Sequence, residues 1–202
     1  MQLDMSWLTR LGFVAPTTSS ARTDEAALLA RVAAGDGDAL ALLYRRESGS
    51  VYRYALALAG DEAAALDALQ EAFAQLLRGP QRFDAGRGSL GAYLAGMARH
   101  QLLSQWRDAR RHVSLDEADE DAADLVPASD ARLDEEQQQG RLWAAIRSLS
   151  WPQREALVLV DLQERAYDEA AAIAGISADV LRTRLHRARQ RLADLLAVGE
   201  QR

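Results

Sequence analysis

The residues best suited to chemistry lie in one basic segment near the end of the chain, GISADVLRTRLHRARQRL, residues 175–192. It carries five arginines and one histidine against a single aspartate, in a chain of 202 residues with a formal net charge of −6. At 100° per residue its apolar positions share one side of a helix, namely Leu181, Leu185, Ala188 and Leu192. The opposite side carries Arg182, Thr183, His186, Arg187 and Gln190.

Such an exposed face suits a helix that lies in the major groove of DNA. Arginine near the start of the helix can pair bidentately with guanine, and flanking arginines meet phosphates and fix the register. We predict base contacts from Arg182, Thr183, His186 and Arg187, and phosphate contacts from the flanking Arg184, Arg189 and Arg191. The competing interpretation is a basic helix that only faces solvent.

The turn before this helix has the residues of a helix-turn-helix. Gly175 suits the left-handed position that ends one helix, and Ser177 suits the N-cap of the next. Two helices joined by so short a turn must cross steeply.

A second nucleic-acid signal lies at residues 97–112, MARHQLLSQWRDARRH. Basic side chains alternate there with an aromatic one, which suits single strands whose bases can stack or enter pockets. A loop containing glycine, RFDAGRGS at residues 82–89, comes just before it. The competing interpretation is an ordinary surface helix.

The elements that position these segments are all helical. Apolar positions follow helical spacing over residues 24–112 and 133–197, which predicts an all-α protein of two small domains. Between the two domains, we expect residues 113–132 to form a flexible acidic linker. Positions 114–136 contain ten acidic residues and a single basic one, Arg132. Residues 1–23 are expected to be a flexible leader and residues 198–202 a tail.

Composition excludes several classes of protein. There is no cysteine, so disulfides and thiolate metal sites are impossible. Apolar runs are too short to cross a bilayer and no signal peptide is recognisable, so we expect a cytoplasmic protein without membrane insertion. The three histidines, His100, His112 and His186, lie in arginine-rich helices, which favours DNA contact over catalysis. We predict no catalytic residue, no metal and no cofactor.

Longer stretches carry a family resemblance. In order and spacing, the segments ARVAAGDGDALALLYRR, DALQEAF, QRFDAGRGSLGAYLAGMARH and WPQREALVLVDLQERAYDEAAAIAGISADVLRTRLHRARQRL resemble bacterial RNA polymerase sigma factors of the extracytoplasmic-function (ECF) group of the sigma-70 family. The resemblance covers about residues 24–112 and 137–197. It implies sigma region 2 in the first domain, sigma region 4 in the second, and a role in promoter-specific transcription initiation.

The resemblance also implies partners and site residues. Core RNA polymerase would be bound through its beta-prime clamp helices and beta flap, and an anti-sigma factor is a further expected partner. The clamp helices would meet Asp67, Gln70 and Glu71, although Leu66 stands where the group usually has an acidic residue. The minus-ten element of promoter DNA would meet Phe83, Arg87, Arg99, His100, Ser104 and Arg107. The minus-thirty-five element would meet Arg182, Thr183, His186 and Arg187.

Two other classes of function compete with this interpretation. A repressor or response-regulator output domain would use the helix-turn-helix alone, and an enzyme would need a catalytic set that is not evident. Control by phosphorylation of Ser48 or Ser50 is a further hypothesis, because Arg45, Arg46 and Arg53 could pair with a phosphate. Its alternative is that Ser48, Gly49 and Ser50 break a helix.

Overall fold

The computed structural model describes the backbone of residues 19–113 and 135–199, and the side chains of residues 24–107 and 139–197. Within those ranges the chain is helical and contains no strand. The eight α-helices are α1 Ser19–Ala33, α2 Gly37–Ala59, α3 Glu62–Arg78, α4 Leu90–Val113, α5 Glu135–Arg147, α6 Trp151–Leu157, α7 Tyr167–Ala174 and α8 Ala178–Gly199. The all-α prediction is confirmed. The flexible leader and linker predicted from sequence lie largely outside the described residues.

The first helical region, α1–α4, is delimited by aspartate caps and glycine stops. The carboxylate of Asp36 accepts a hydrogen bond from Ala39 N at 3.0 Å, and Gly60 ends α2 in the left-handed conformation, at φ 69°. Asp61 caps α3 in the same way, through Ala64 N at 2.8 Å. Helix α2 runs unbroken through Gly49, so the helix break considered at that position is wrong.

A buried carboxylate joins α1 to α4. Glu25 is 2% exposed, accepts a hydrogen bond from Leu90 N at 3.0 Å and forms an ion pair with Arg46 at 3.1 Å. An anion beside the first N–H groups of a helix is stabilising, because those groups lack partners within the helix and carry the positive end of its dipole. Glu25 thus fixes the start of α4, the helix that carries most of the predicted minus-ten residues.

The second helical region, α5–α8, contains the predicted helix-turn-helix. Pro152 lies in the first turn of α6, and the Ser150 side chain makes no capping hydrogen bond to that turn. Helix α6 continues into one π-helical turn, Val158–Leu162. Gly175 has φ 67° after α7, and Ser177 Oγ accepts a hydrogen bond from Val180 N at 3.3 Å at the start of α8. Both of these predictions are confirmed.

The two helical regions share one hydrophobic core. Buried residues of α2, α3 and α4 are continuous with those of α6, α7 and α8. The rings of Trp106 and Trp151 lie 6.1 Å apart, and Tyr54 in the second half of α2 is fully buried. The sequence did not predict this contact, since no local pattern connects residues so far apart along the chain.

Candidate nucleic-acid and polymerase interfaces

Helix α8 presents the face that the sequence predicts. Leu181, Leu185 and Ala188 are 0–2% exposed, whereas the predicted base-reading residues are all exposed, namely Arg182, Thr183, His186 and Arg187. The apolar side of the helix packs on α6, so its register is fixed by burial and the polar side is held outward. This geometry fits a helix that reads a groove.

The arginines of α8 are not equivalent. Arg182 Nη1 donates to Asp179 Oδ1 at 2.6 Å, and its guanidinium lies 5.4 Å from the centre of the Tyr167 ring. Among the described residues, none forms an ion pair with Arg187, so its donors face solvent. Arg182 is therefore pre-positioned by neighbours, and Arg187 is the more available donor for a base.

Arg189 has a different role from the one expected. Its Nε and Nη2 donate to the two oxygens of Asp161 at 2.9 and 2.5 Å, and the Asp161 side chain is only 5% exposed. The hydrogen bond to this carboxylate raises the pKa of Arg189. A phosphate contact from Arg189 was predicted by its position on the helix, but its charge is already neutralised within the protein. Of the flanking arginines, Arg191 is exposed and Arg184 is partly exposed.

A cavity of about 790 Å³ lies beside the start of α4, where the sequence predicts the minus-ten loop. Phe83, Arg87 and His100 all line it, so the structure brings these three predicted residues together. Tyr93 also lines it, with its ring 5.6 Å from that of Phe83 and tilted by 52°. An aromatic wall with guanidinium groups at the rim suits an unstacked base. Tyr93 was missed from sequence, although its position one turn after the loop is the signal that could have found it.

The other predicted minus-ten residues lie elsewhere on α4. Ser104 and Arg107 are exposed further along the helix, away from the cavity. Arg99 faces the second helical region: its Nε donates to Glu155 Oε1 at 2.6 Å and its Nη2 to Glu155 Oε2 at 3.2 Å. The structure therefore separates Arg99 from the residues with which it was grouped.

Glu155 is a buried charged residue that sequence reasoning missed. It lies on α6, is 1% exposed and also accepts a hydrogen bond from Tyr54 Oη at 3.0 Å. Burial raises the pKa of Glu155, and the hydrogen bonds and charge of Arg99 and the hydrogen bond from Tyr54 offset only part of that rise. Burial likewise raises the pKa of Tyr54. No local signal marks Glu155, because its partners are 56 and 101 positions away.

The residues expected to meet polymerase share one side of α3. Asp67 and Gln70 are exposed, and Glu71 is partly exposed. Glu71 accepts hydrogen bonds from Gln75 at 3.0 Å and from Arg78 at 2.6 Å; these two bonds lower its pKa. Leu66 beside them is 45% exposed. The surface is thus mixed apolar and acidic, with Glu71 partly neutralised by Arg78.

Among the described residues, no group of three or more histidines or carboxylates could hold a metal ion. None of the helices there is both long and apolar enough to span a membrane.

Comparison with known proteins identifies the family. Residues 43–112 match the family model for Sigma-70 region 2, and residues 139–192 match that for Sigma-70, region 4. ECF RNA polymerase sigma factor EcfG of Rhodopseudomonas palustris is 34% identical over 74% of this chain and 80% of its own length. ECF RNA polymerase sigma factor SigE of Mycolicibacterium smegmatis is 33% identical over 77% of this chain, which spans 60% of that relative's length.

A solved structure agrees with the sequence relatives. One similar solved structure is the sigma factor RpoE of Bartonella quintana, crystallised in complex with the anti-sigma factor NepR. It superposes on this chain with a TM-score of 0.61 at 27% sequence identity, and the match covers 79% of this chain and 97% of the RpoE chain. The chain therefore contains region 2 and region 4 of the sigma-70 family, in that order. The chain belongs to the sigma-70 family of RNA polymerase sigma factors, in its ECF group.

Proposed function

We propose that this chain binds core RNA polymerase and directs it to two-part promoters, with the first helical region reading the minus-ten element and the second reading the minus-thirty-five element. The observation that supports this proposal is the presence, on one chain, of two different surfaces that suit nucleic acid. One is an exposed basic helix face on α8, and the other is an aromatic cavity with a basic rim beside α4.

The two surfaces suit two states of DNA. The α8 face is convex and rich in planar donors, which fits base edges in the major groove of a duplex. In the proposal it contributes Arg182, Thr183, His186 and Arg187. The cavity beside α4 is concave and lined by aromatic rings, which fits a base that has left the stack. In the proposal the strand runs past Phe83, Arg87, Arg99, His100, Ser104 and Arg107.

Polymerase would dock on the exposed side of α3. Asp67, Gln70 and Glu71 offer carboxylate and amide groups to a basic partner surface, and Leu66 adds apolar area where the group usually has charge. The clamp helices of the beta-prime subunit are the proposed partner of this side, and the beta flap that of the second helical region.

The activity of this chain would also need to be controlled. The relative RpoE was crystallised with an anti-sigma factor, and we propose that a protein of the same kind holds this chain inactive. Phosphorylation of Ser48 or Ser50 stays a prediction. Both side chains are half-buried on α2, and the Ser50 carbonyl accepts a hydrogen bond from Gln163 Nε2 at 2.9 Å. If phosphate adds useful charge there, Ser48→Glu or Ser50→Glu will strengthen binding to core polymerase; equal binding by the wild type and both variants will contradict it.

Binding to core polymerase separates this function from that of a free-standing repressor. Purified chain mixed with polymerase lacking any sigma factor should co-elute with it on gel filtration. Asp67→Lys should weaken co-elution because it reverses charge on the docking side, whereas Glu62→Lys reverses an exposed charge 140° away around the same helix and should not. No co-elution, combined with tight binding to duplex DNA by the chain alone, would favour the repressor.

A further inference from the structure

Two side chains hold the guanidinium group of Arg182 on the exposed side of α8. Arg182 Nη1 donates to Asp179 Oδ1 at 2.6 Å, which forms an ion pair between residues three positions apart on the helix. The ring of Tyr167, at the start of α7, faces the same guanidinium group, with 5.4 Å between its centre and Arg182 Cζ. Planar guanidinium groups stack on aromatic rings, so the two contacts together restrict both the position and the plane of this group.

Asp179 lies in the first turn of α8, and its side chain is 91% exposed. A carboxylate there is stabilised by the dipole of the helix, and that general role needs no DNA. Asp179 also contacts two of the predicted base-reading residues, because its backbone carbonyl accepts a hydrogen bond from Thr183 Oγ1 at 3.0 Å while its carboxylate holds Arg182. These contacts connect Asp179 to the proposed DNA surface.

The ion pair leaves Arg182 able to read a base. A guanidinium group has five N–H groups, and the hydrogen bond to Asp179 uses one of them. The others are sufficient for the two parallel hydrogen bonds through which arginine recognises O6 and N7 of guanine. Because Arg182 is exposed, these donors are open to a groove.

Arg187 provides a contrast on the same helix. It is exposed, and no residue within the described ranges forms an ion pair with it. A long side chain that is free before binding must be immobilised when it contacts a base, which weakens the contact by roughly two- to tenfold. Arg182 is already restricted by Asp179 and Tyr167, so it avoids much of this loss, but only for a base that fits its fixed orientation.

We propose that Asp179 is a positioning residue that sets base specificity: together with Tyr167, it holds Arg182 in the orientation that pairs with guanine in the upstream promoter element. This inference rests on the proposed function of α8. Arg182 touches the base, and Asp179 acts through Arg182. Since a carboxylate also repels phosphate, Asp179 increases discrimination between sequences while it lowers the average affinity for DNA.

The test uses the full chain bound to core polymerase and a library of duplexes of random sequence. Competition between the duplexes gives the preference for guanine over the other bases at each position, and also the average affinity over the library. Asp179→Ala is compared with Asp194→Ala, which removes the same charge from another exposed position of α8. The two aspartates are 15 positions apart, or about 22 Å along the helix axis.

In the wild type and in Asp194→Ala we expect a guanine preference that Arg182→Ala abolishes. Asp179→Ala should lower that preference by about two- to tenfold, because Arg182 must then be immobilised on binding, and should leave the average affinity equal or higher. Tyr167→Leu should lower the same preference without any change of charge. In the Arg182→Ala background, Asp179→Ala should change no preference further, since the two residues act as a unit.

Three results would overturn the proposal. In the first, a folded Asp179→Ala protein keeps the full guanine preference. In the second, this variant loses affinity equally for every sequence, which is the effect of a purely structural role at the start of α8. In the third, the guanine preference survives Arg182→Ala. If Asp179→Ala fails to fold in a thermal melt, Tyr167→Leu decides, and an unchanged preference in that variant counts against the proposal.

Failure of the proposed function has a different signature. The wild type bound to core polymerase would then select no common duplex sequence, and Arg182→Ala would behave like the wild type. A wild type that selects a sequence containing the Arg182-dependent guanine, together with an Asp179→Ala protein that selects it equally well, overturns only the role of Asp179.

Discussion

Replacing Arg189 by alanine should destabilise the fold, whereas the same change at Arg191 should not. Both arginines lie on the exposed part of α8, but only Arg189 is bonded through two nitrogens to the buried carboxylate of Asp161. Removing Arg189 leaves that carboxylate, 5% exposed, without its guanidinium partner. Arg191→Ala removes the same charge from the same helix and leaves no buried group behind.

The size of the effect lies between two limits. Breaking a fully buried ion pair from one side costs about 3–5 kcal/mol, and an exposed pair contributes at most about 1 kcal/mol. The Arg189 side chain is 49% exposed, so solvent screens the pair and we expect a loss of about 1–2 kcal/mol in the free energy of unfolding. For a chain of this size that corresponds to a fall of about 2–8 °C in Tm.

Urea denaturation of both single variants checks this directly, and adding Asp161→Asn to Arg189→Ala should restore part of the loss because no unpaired charge remains. DNA binding supplies an independent readout. Arg191→Ala should reduce the slope of log affinity against log salt by about 1, and Arg189→Ala by less, because its charge is already neutralised. Equal stability of the two single variants would refute the structural role given to Arg189.

Three further predictions follow from other contacts. Arg187→Ala should cost about 1–3 kcal/mol of binding at one base pair of the upstream element and little at the others; an unchanged preference in a promoter-variant screen would refute its base contact. Burial raises the pKa of Glu155 above its unfolded value, so the stability that this shift contributes is lost as pH rises. When the pH is lowered from 7 to 5, the wild type should therefore gain stability relative to Glu155→Gln, as measured by urea denaturation at both pH values. No pH dependence of the difference in stability between the two proteins would contradict this prediction. Gly175→Ala should destabilise the fold by about 1–2 kcal/mol because alanine is strained at φ 67°; the added methyl group itself meets no atom within 4 Å. The matched change Gly140→Ala, in the interior of α5, should stabilise the fold by up to about 1 kcal/mol. Thermal melts that rank the two variants the other way would refute this prediction.

Local patterns were enough to predict the helices and the helix-turn-helix. Gly175 and Ser177 were recognisable because their conformational needs are set by the chain beside them, and the buried side of α8 followed from helical spacing. Leu181 and Leu185 are buried for the reason the spacing indicates.

Contacts between distant residues were beyond the reach of these patterns. The pairing of Arg189 with Asp161, and of Arg99 with Glu155, joins positions 28 and 56 apart, and neither partner has a local signature. Helical spacing shows which way a side chain points but not which residues lie next to it. For that reason Arg189 was predicted to contact phosphate, although it is paired with Asp161. For the same reason the shared core between the two helical regions could not be foreseen.

Run-off transcription tests the central claim most directly. Core polymerase lacking sigma, mixed with this purified chain and fragmented genomic DNA of its source, should give transcripts whose 5′ ends follow a common two-part sequence upstream, and core polymerase alone should not. Arg187→Ala should shift preference within the upstream part, and Phe83→Ala should reduce initiation at every such promoter. Transcripts that do not depend on the chain, or that share no upstream sequence, would contradict the account.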